Sequence, residues 1–410
     1  MERYTGLIGI IIIFCIAFLC SNNRSAINYR LVISGVLLQI LIAVLVLKVP
    51  FCIRFFQWMG KGMQQLEEFA KQGANFVYGG IAVIDHSGTP QNYSAVPAFI
   101  FAFNVTATII LVCILAAIFY HWGIMQRIIS FIAKVMNFVM RVSGAEALSN
   151  VASAFVGQVE AQVLIRPYLP SMTKSELLAS MSGSLACIAG GILIVYTSMG
   201  AKAEYLIMAS LMAAPGALVI SKIVFPETEE SPTKGNVKLE IKSNSINIID
   251  AISQGASDGF KISMNVIAML IGFIALIAFL NWILNFCYSG LSLDVIFSKL
   301  FYPISWAMGV PDSDVANAAT LLGQKLTVNE FIAFKNLTTH SVPILTEKGL
   351  LIVSIAICGF ANFSSVGMQI GGIGALVPER RTDLAKLGMR ALLCGTLASY
   401  LSATIAGIIM

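Results

Sequence analysis

The segment CGFANFSSVGMQIGGIGALVPERR, residues 358–381, places polar groups inside an apolar run long enough to cross a membrane. Asn362 and Ser365 lie one helical turn apart, and the flat apolar ring of Phe360 stands beside them. An asparagine amide offers a donor and an acceptor to a heterocycle. Asn and Ser also commonly hydrogen-bond to neighbouring helices within membranes. The segment is therefore either part of a ligand site or a polar contact between membrane helices.

Around this segment, the composition is that of a protein whose solvent is lipid. Hydrophobic residues make up 57% of the 410 and charged residues only 11%, whereas a soluble domain has about 25% charged residues. The net charge of +5 is scattered along the chain, which argues against a nucleic-acid partner. The composition predicts an all-α polytopic membrane protein in contact with the lipid bilayer.

Apolar runs of about 20 residues mark the predicted membrane helices. The clear runs are 5–21, 31–50, 96–120, 203–225, 263–288, 350–376 and 387–409. Less uniform runs are found at 146–166, 176–200 and 312–337. Residues 51–73 mix Arg and Lys with apolar residues, which favours an amphipathic helix lying in the membrane interface. The stretch 226–246 is rich in Pro, Ser and charges, which predicts a flexible cytoplasmic linker.

Two polar segments resemble each other and indicate an internal repeat. The first reads NVASAFVGQVEAQVLIRPYL from Asn150, and the second reads NAATLLGQKLTVNEFIAFKNL from Asn317. Both run through small residues to a Gly-Gln pair and then to a glutamate. Paired, glycine-interrupted polar segments in corresponding halves are typical of transporter binding sites. The predicted division is 1–95 for the N-terminal membrane helices and interfacial helix, 96–225 for the first repeat, 226–246 for the linker and 247–410 for the second repeat.

The glutamates of the two segments, Glu160 and Glu330, are the acidic side chains that stand out at membrane depth. A charged group there is costly to bury and usually faces a cavity or a partner. We expect these carboxylates to accept hydrogen bonds from substrate hydroxyls, or one of them to carry a proton. The alternatives are an internal ion pair or a carboxylate that stabilises a helix end.

With these residues in view, the chain resembles the concentrative nucleoside transporter family. The matching motifs are GQVEAQVLIRPYL (157–169), MTKSEL (172–177), NEFIAF (329–334), CGFANFSSVGMQIGGIGALVPERR (358–381) and GTLASYLSATIAGII (395–409). The resemblance covers about 145 to 410. It implies a homotrimer with about eight membrane helices and two re-entrant hairpins per subunit, in two inverted repeats, working as an elevator-type transporter.

The resemblance also assigns roles to individual residues. Gln158 and Glu160 of hairpin one are implied to contact the nucleobase, with Ile192 lining the base side. Glu330 of hairpin two is implied to contact the ribose hydroxyls. The implied substrate-binding residues are Gln158, Val159, Glu160, Ile192, Glu330, Phe360, Asn362 and Ser365. Val159 stands where the family usually has threonine, and this puts the base preference in doubt.

The residues implied to bind the coupling cation are Ser153, Val156, Cys187 and Ile188. Many sodium-coupled members have asparagine in place of Ser153 and serine in place of Cys187. Two side-chain oxygen ligands are therefore weakened or lost, and sulfur is a poor ligand for a hard cation. The coupling ion is sodium or a proton, and Glu160 or Glu330 would carry the proton.

Cation-coupled symport of nucleosides such as uridine or adenosine into the cell is the leading hypothesis. A passive facilitator or channel of the same fold is the alternative, and it predicts no accumulation against a gradient. A membrane enzyme would need a nucleophile or a set of metal ligands, and the sequence contains no motif for either. We therefore predict a protein that is not an enzyme, that has no cofactor beyond its coupling ion, and that lies in the plasma membrane (the bacterial inner membrane).

Overall fold

The computed structural model describes residues 2–78, 101–231, 245–339, 343 and 345–410, and within them the chain is helical without a β-strand. The first nine helices are α1 (Glu2–Leu19), α2 (Tyr29–Lys48), α3 (Pro50–Tyr78), α4 (Phe101–His121), α5 (Ile124–Met140), α6 (Gly144–Ser153), α7 (Glu160–Leu164), α8 (Lys174–Ala186) and α9 (Gly190–Ser198). The others are α10 (Ala203–Val224), α11 (Ile248–Cys287), α12 (Leu293–Leu300), α13 (Tyr302–Ala307), α14 (Val315–Thr327), α15 (Glu330–Thr338), α16 (Glu347–Ile357), α17 (Phe363–Leu376) and α18 (Arg381–Ile409). The all-α prediction is confirmed. The predicted boundary at 95/96 and linker residues 232–244 lie outside the described residues.

Helices α10 and α18 form the centre of the bundle. In the apolar window of α10, 94% of the residues are buried inside the protein, compared with 28% in α2. The buried amide of Gln39 on α2 donates hydrogen bonds to the Met212 carbonyl (3.0 Å) and the Ser402 hydroxyl (2.9 Å). It therefore joins α2 to both central helices, as polar side chains commonly do between membrane helices.

Among the described residues, four helical spans are long and apolar enough to cross a membrane. A fifth candidate consists of α4 and α5, which are bent by 78° at their junction. Gly123 occupies this bend with a φ of +73°, a conformation that glycine adopts without a steric penalty. Helix α5 was not predicted, because its scattered basic residues obscure the apolar pattern.

Two of the predicted membrane runs are broken helices. Run 176–200 is divided between α8 and α9, and run 350–376 is divided between α16 and α17. The apolar pattern alone marks 350–376 as one run, whereas the family resemblance implies a broken helix in each repeat, and two separate helices are found here. The reason is local: the Asn362 side chain accepts a hydrogen bond from the Ser365 N–H (2.8 Å) and so begins a new helix inside the apolar run.

The two polar segments form helical hairpins, which we call hairpin one (α6 and α7) and hairpin two (α14 and α15). Glu160 is the first residue of α7 and Glu330 is the first residue of α15, so the glutamates hold equivalent positions. The Gly-Gln pairs are not equivalent. Gln158 lies in the turn of hairpin one, whereas Gln324 lies inside α14. Gly157, at a φ of +127°, is required by the turn of hairpin one.

Candidate functional site

The two helix breaks and the turn of hairpin one meet in the interior of the protein. The Phe360 N–H in the second break donates a hydrogen bond to the Cys187 carbonyl in the first break (3.3 Å). The Gly190 N–H at the start of α9 donates to the Phe155 carbonyl in hairpin one (3.2 Å). Gly359 packs so closely on the Ala186 carbonyl that an added Cβ would lie 2.3 Å from its oxygen. Exposed backbone groups from three segments therefore converge on one region.

Glu330 is the acidic centre of this region. Its side chain is buried, and its two carboxylate oxygens have different partners. Oε1 accepts a hydrogen bond from the Tyr196 hydroxyl (3.1 Å), and Oε2 accepts one from the Asn362 amide (2.9 Å). The structure therefore brings together the predicted residues Glu330 and Asn362, which are 32 positions apart in the chain.

Tyr196 on α9 is a site residue that the sequence analysis missed. Its ring stacks on Phe334 of hairpin two, with 4.4 Å between the ring centroids, while its hydroxyl contacts Glu330. The available signal was a phenol within the otherwise apolar run GGILIVYTS. A buried tyrosine needs a partner for its hydroxyl, so its position in an apolar helix points to a polar neighbour.

Ser365 and Gln158 have unused hydrogen-bonding atoms. Among the described residues, neither the Ser365 hydroxyl nor the Gln158 Oε1 atom has a hydrogen-bond partner, although both atoms are buried. The Gln158 amide nitrogen contacts the Met368 sulfur on α17 at 3.9 Å. Buried polar groups in native proteins are normally paired, so unpaired ones in a converging region indicate a place for a ligand or water.

The rest of the hairpin-one turn packs against α17. Val159 lies against Gly372, where a Cβ would stand 2.7 Å from its side chain. Glu160 is exposed, and its carboxylate folds back over Gly157, where an added Cβ would lie 2.5 Å from Oε2. The remaining predicted substrate residues, Phe360 and Ile192, are half-buried, one in the second break and the other on α9. They supply apolar surface at the edge of the region.

The predicted cation residues lie along the seam between hairpin one and α8. The Ser153 hydroxyl donates to the Ser149 carbonyl (2.8 Å) and is hydrogen-bonded to the Ser184 hydroxyl (2.8 Å). The Cys187 thiol points to the Asn150 carbonyl (3.8 Å). Both side chains proposed as cation ligands are thus already engaged within the protein.

The same seam contains a closed network of neutral hydrogen bonds. Gln162 donates to the hydroxyls of Ser149 (3.0 Å) and Ser184 (2.8 Å). It accepts from the Ser180 hydroxyl (2.7 Å), which is itself bonded to Ser149 (2.6 Å). The main-chain candidates lie nearby: Val156 is in the hairpin turn and Ile188 in the first break. Only their carbonyl oxygens are available as hard ligands, because both side chains are aliphatic.

Three family profiles together match most of the chain. The profile described as "Na+ dependent nucleoside transporter N-terminus" matches residues 8–81. The profile "Gate: Nucleoside recognition" matches residues 102–203. The profile "Na+ dependent nucleoside transporter C-terminus" matches residues 205–407, which include hairpin two and the second break.

Full-length relatives and solved structures agree with these profiles. The transporter YutK of Bacillus subtilis (strain 168) is 39% identical, over 99% of each chain. The nucleoside permease NupC of Helicobacter pylori is 36% identical, over 98% of this chain and 97% of the relative. The solved structure of CNTnw in an inward-facing substrate-bound state is 36% identical and has a TM-score of 0.92, covering 100% of this chain and 99% of that one.

Proposed function

This chain belongs to the concentrative nucleoside transporter family, and from that premise we propose that it imports nucleosides by symport with a cation. Its fold is the elevator-type fold of CNTnw, which has been solved in inward-facing, intermediate and outward-facing states. It is an integral protein of the plasma membrane and not an enzyme. The predictions for fold class and membrane location are thereby confirmed.

The observation that carries the proposal is the pair of unpaired polar atoms in the region where the helix breaks and hairpin one meet. The Ser365 hydroxyl and Gln158 Oε1 are buried without a partner in the described part of the chain. A nucleoside has ribose hydroxyls and a flat base with hydrogen-bonding edges. Such a ligand would satisfy both atoms and would place its flat face against apolar surface such as that of Phe360.

We assign the ribose to Glu330, Asn362 and Ser365. A vicinal diol offers two donors, and the Glu330 carboxylate accepts hydrogen bonds from both of its present partners. Hydrogen bonds to a charged group contribute about 1.5–3 kcal/mol each. A ligand without the diol leaves this carboxylate with fewer donors, so the site selects ribosyl compounds.

We assign the base to hairpin one. Gln158 presents an amide with a free acceptor, and Glu160 presents an exposed carboxylate one helical turn from Gly157. Val159 and Ile192 provide apolar surface on this side. Because Val159 packs against Gly372, recognition of base edges falls to Gln158 and Glu160.

For the coupling ion we propose a proton. A sodium site needs several oxygen ligands, as hard cations do. Ser153 uses its hydroxyl in two internal hydrogen bonds, and Cys187 offers sulfur. Sodium is the second candidate, because the family profiles are described as sodium-dependent and the carbonyls of Val156 and Ile188 are suitable ligands.

Glu160 is the proposed proton carrier. Its side chain is exposed at the turn of a hairpin, and no cation forms an ion pair with it among the described residues. Glu330, by contrast, is buried and held by two side-chain donors. A carboxyl group that reaches both water and substrate can take up a proton on one side of the membrane and lose it on the other.

Uptake into proteoliposomes tests the proposal. Radiolabelled uridine should accumulate above its external concentration when an inward proton gradient is imposed, and not under a sodium gradient alone. Accumulation driven only by a sodium gradient would show that the coupling ion is sodium and not a proton. Equilibration without accumulation under either gradient would identify a facilitator, and absence of uptake of both uridine and adenosine would remove nucleosides as substrates.

Glu160→Gln tests the proton carrier in the same vesicles. The variant should lose accumulation driven by the proton gradient but retain exchange of internal for external uridine, because exchange needs no net proton movement. Glu204→Gln, which changes a carboxylate at the start of α10, is the matched control. If Glu160→Gln accumulated uridine as the unchanged protein does, the proton would travel on another group.

We also propose a homotrimer, following the family resemblance, with the four-part division of the chain given above. The long packing of α4 along α11 supports a scaffold unit made from both halves of the chain. The mass of the protein in detergent, corrected for bound detergent, should be three times the subunit mass. A monomer at all concentrations would contradict this assignment.

A further inference from the structure

Lys325 is a buried lysine that belongs to neither the proposed substrate site nor the proposed cation site. It lies in α14 of hairpin two, and its side chain is completely buried, with 0% exposure. Its ammonium group forms no hydrogen bond with any described residue. The centroid of the Tyr400 ring on α18 lies 6.0 Å from Nζ. An ammonium group has three donors, and burying it without compensation is strongly unfavourable.

The charge that compensates Lys325 is on the same hairpin. Lys325 stands two residues before the end of α14, and Glu330 begins α15, so the two residues flank the hairpin turn. Both side chains are buried, so two opposite charges on the same hairpin are shielded from water. Electrostatic attraction acts beyond hydrogen-bonding distance where the surroundings have a low dielectric constant.

Other titratable groups around the pair do not supply a negative charge. Cys358 in the second break also interacts with Lys325, and Tyr400 and Tyr196 face the pair from α18 and α9. A carboxyl group ordinarily gives up its proton far more readily than a thiol or a phenol does. Glu330 is therefore the anionic partner of Lys325 within the described part of the chain.

We propose that Lys325 is a positioning residue for the substrate site: a built-in counter-cation that keeps Glu330 ionised and ready to bind ribose hydroxyls. It leaves both Glu330 oxygens open to hydrogen-bond donors, because it acts without occupying either of them. This inference rests on the proposed nucleoside function for its ligand, but the charge pairing itself does not depend on a ligand.

Binding of uridine and 2′,3′-dideoxyuridine to the detergent-solubilised protein tests the inference. Lys325→Met keeps the length of the side chain and removes its charge. Uridine binding should weaken about tenfold or more, because hydrogen bonds to a charged acceptor are lost, whereas dideoxyuridine binding should change little. Lys325→Arg, which keeps the charge, should retain the preference for uridine. Lys335→Met, an exposed lysine of the same hairpin, is the matched control and should bind both ligands as the unchanged protein does.

A double-variant cycle separates charge compensation from a merely structural role. In a Glu330→Gln background, Lys325→Met should cause no further loss of uridine binding. Without ligand, each single variant should lower the unfolding temperature, and the double variant should lose less than the sum of the two, because neither charge is then left alone. Additive losses in both measurements would overturn the inference. If the unchanged protein bound no nucleoside, the proposed function would fail, but the ligand-free unfolding temperatures would still decide the role of Lys325.

Discussion

The two hairpins have the same outline but differ in the surroundings of the glutamate that begins the second arm. In each of them the second arm begins with a glutamate. In hairpin one, hydroxyls and the amide of Gln162 join the hairpin to α8, and Glu160 is exposed. Hairpin two carries a buried lysine and a buried glutamate whose oxygens are already fixed by donors. The same backbone pattern therefore presents an exposed carboxyl group in one half and a buried, hydrogen-bonded one in the other.

The second arms differ in how they begin. Asn329 caps α15 by accepting a hydrogen bond from the Ile332 N–H (3.0 Å), whereas α7 has no side-chain cap and is five residues long. Gln324 further stabilises hairpin two. Its side chain donates a hydrogen bond to Asp294 on α12 (2.8 Å) and accepts one from Asn336 on α15 (2.9 Å). Under the proposed assignment, the preorganised arm would bind ribose, which is common to all nucleosides. The less constrained arm would bind bases of different shape.

Replacing Glu330, the buried carboxylate of hairpin two, should have the largest effect on the proposed division between ribose binding and base binding. Glu330→Gln should weaken uridine binding about 10- to 150-fold, because hydrogen bonds to a charged acceptor contribute about 1.5–3 kcal/mol. Binding of the free base uracil should change far less. Calorimetric titration of both ligands measures the difference. The matched control is Glu347→Gln, which removes an exposed carboxylate paired with Lys202. Equal losses for uridine and uracil would refute the ribose assignment.

Removing Gln162 from its hydrogen-bond network with the serines of hairpin one and α8 should lower stability without changing the preference for ribose. Gln162→Leu leaves the hydroxyls of Ser149, Ser180 and Ser184 with fewer partners. Each buried polar group left unpaired costs about 1–3 kcal/mol, so the unfolding temperature should fall. The preference for uridine over dideoxyuridine should remain. Gln254→Leu, on the exposed face of α11, is the control. Loss of that preference in Gln162→Leu would mean that the two hairpins do not have separate roles.

The smallest expected effect comes from the phenol that orients the fixed carboxylate. Tyr196→Phe removes the hydrogen bond to Glu330 and keeps the stacking on Phe334. Uridine binding should weaken about two- to tenfold, less than on loss of a direct hydrogen bond to the charged Glu330, because Tyr196 acts on the ligand only by orienting that carboxylate. Tyr205→Phe, which removes a hydroxyl bonded to Lys202, is the control. Unchanged binding would mean that Asn362 alone is enough to orient Glu330.

The sequence by itself determined the membrane environment, the all-helical fold and the repeated polar hairpins. These properties depend on composition and on local patterns: apolar runs of bilayer length and repeated glycine-interrupted polar segments. It also placed Glu330, Asn362 and Ser365 in one site, through their resemblance to a family motif. The comparisons confirm the family, while the roles of these residues remain predictions.

Only the tertiary structure decided which of these groups are already paired. Ser153 is occupied by Ser184, Tyr196 reaches Glu330 across 134 positions, and the Ser365 hydroxyl has no partner among the described residues. The tertiary structure alone also shows that Lys325 is completely buried. The sequence does not predict this, because lysine side chains in proteins are normally exposed. Hydrogen bonding and burial depend on neighbours that are distant in the chain, so local sequence does not specify them.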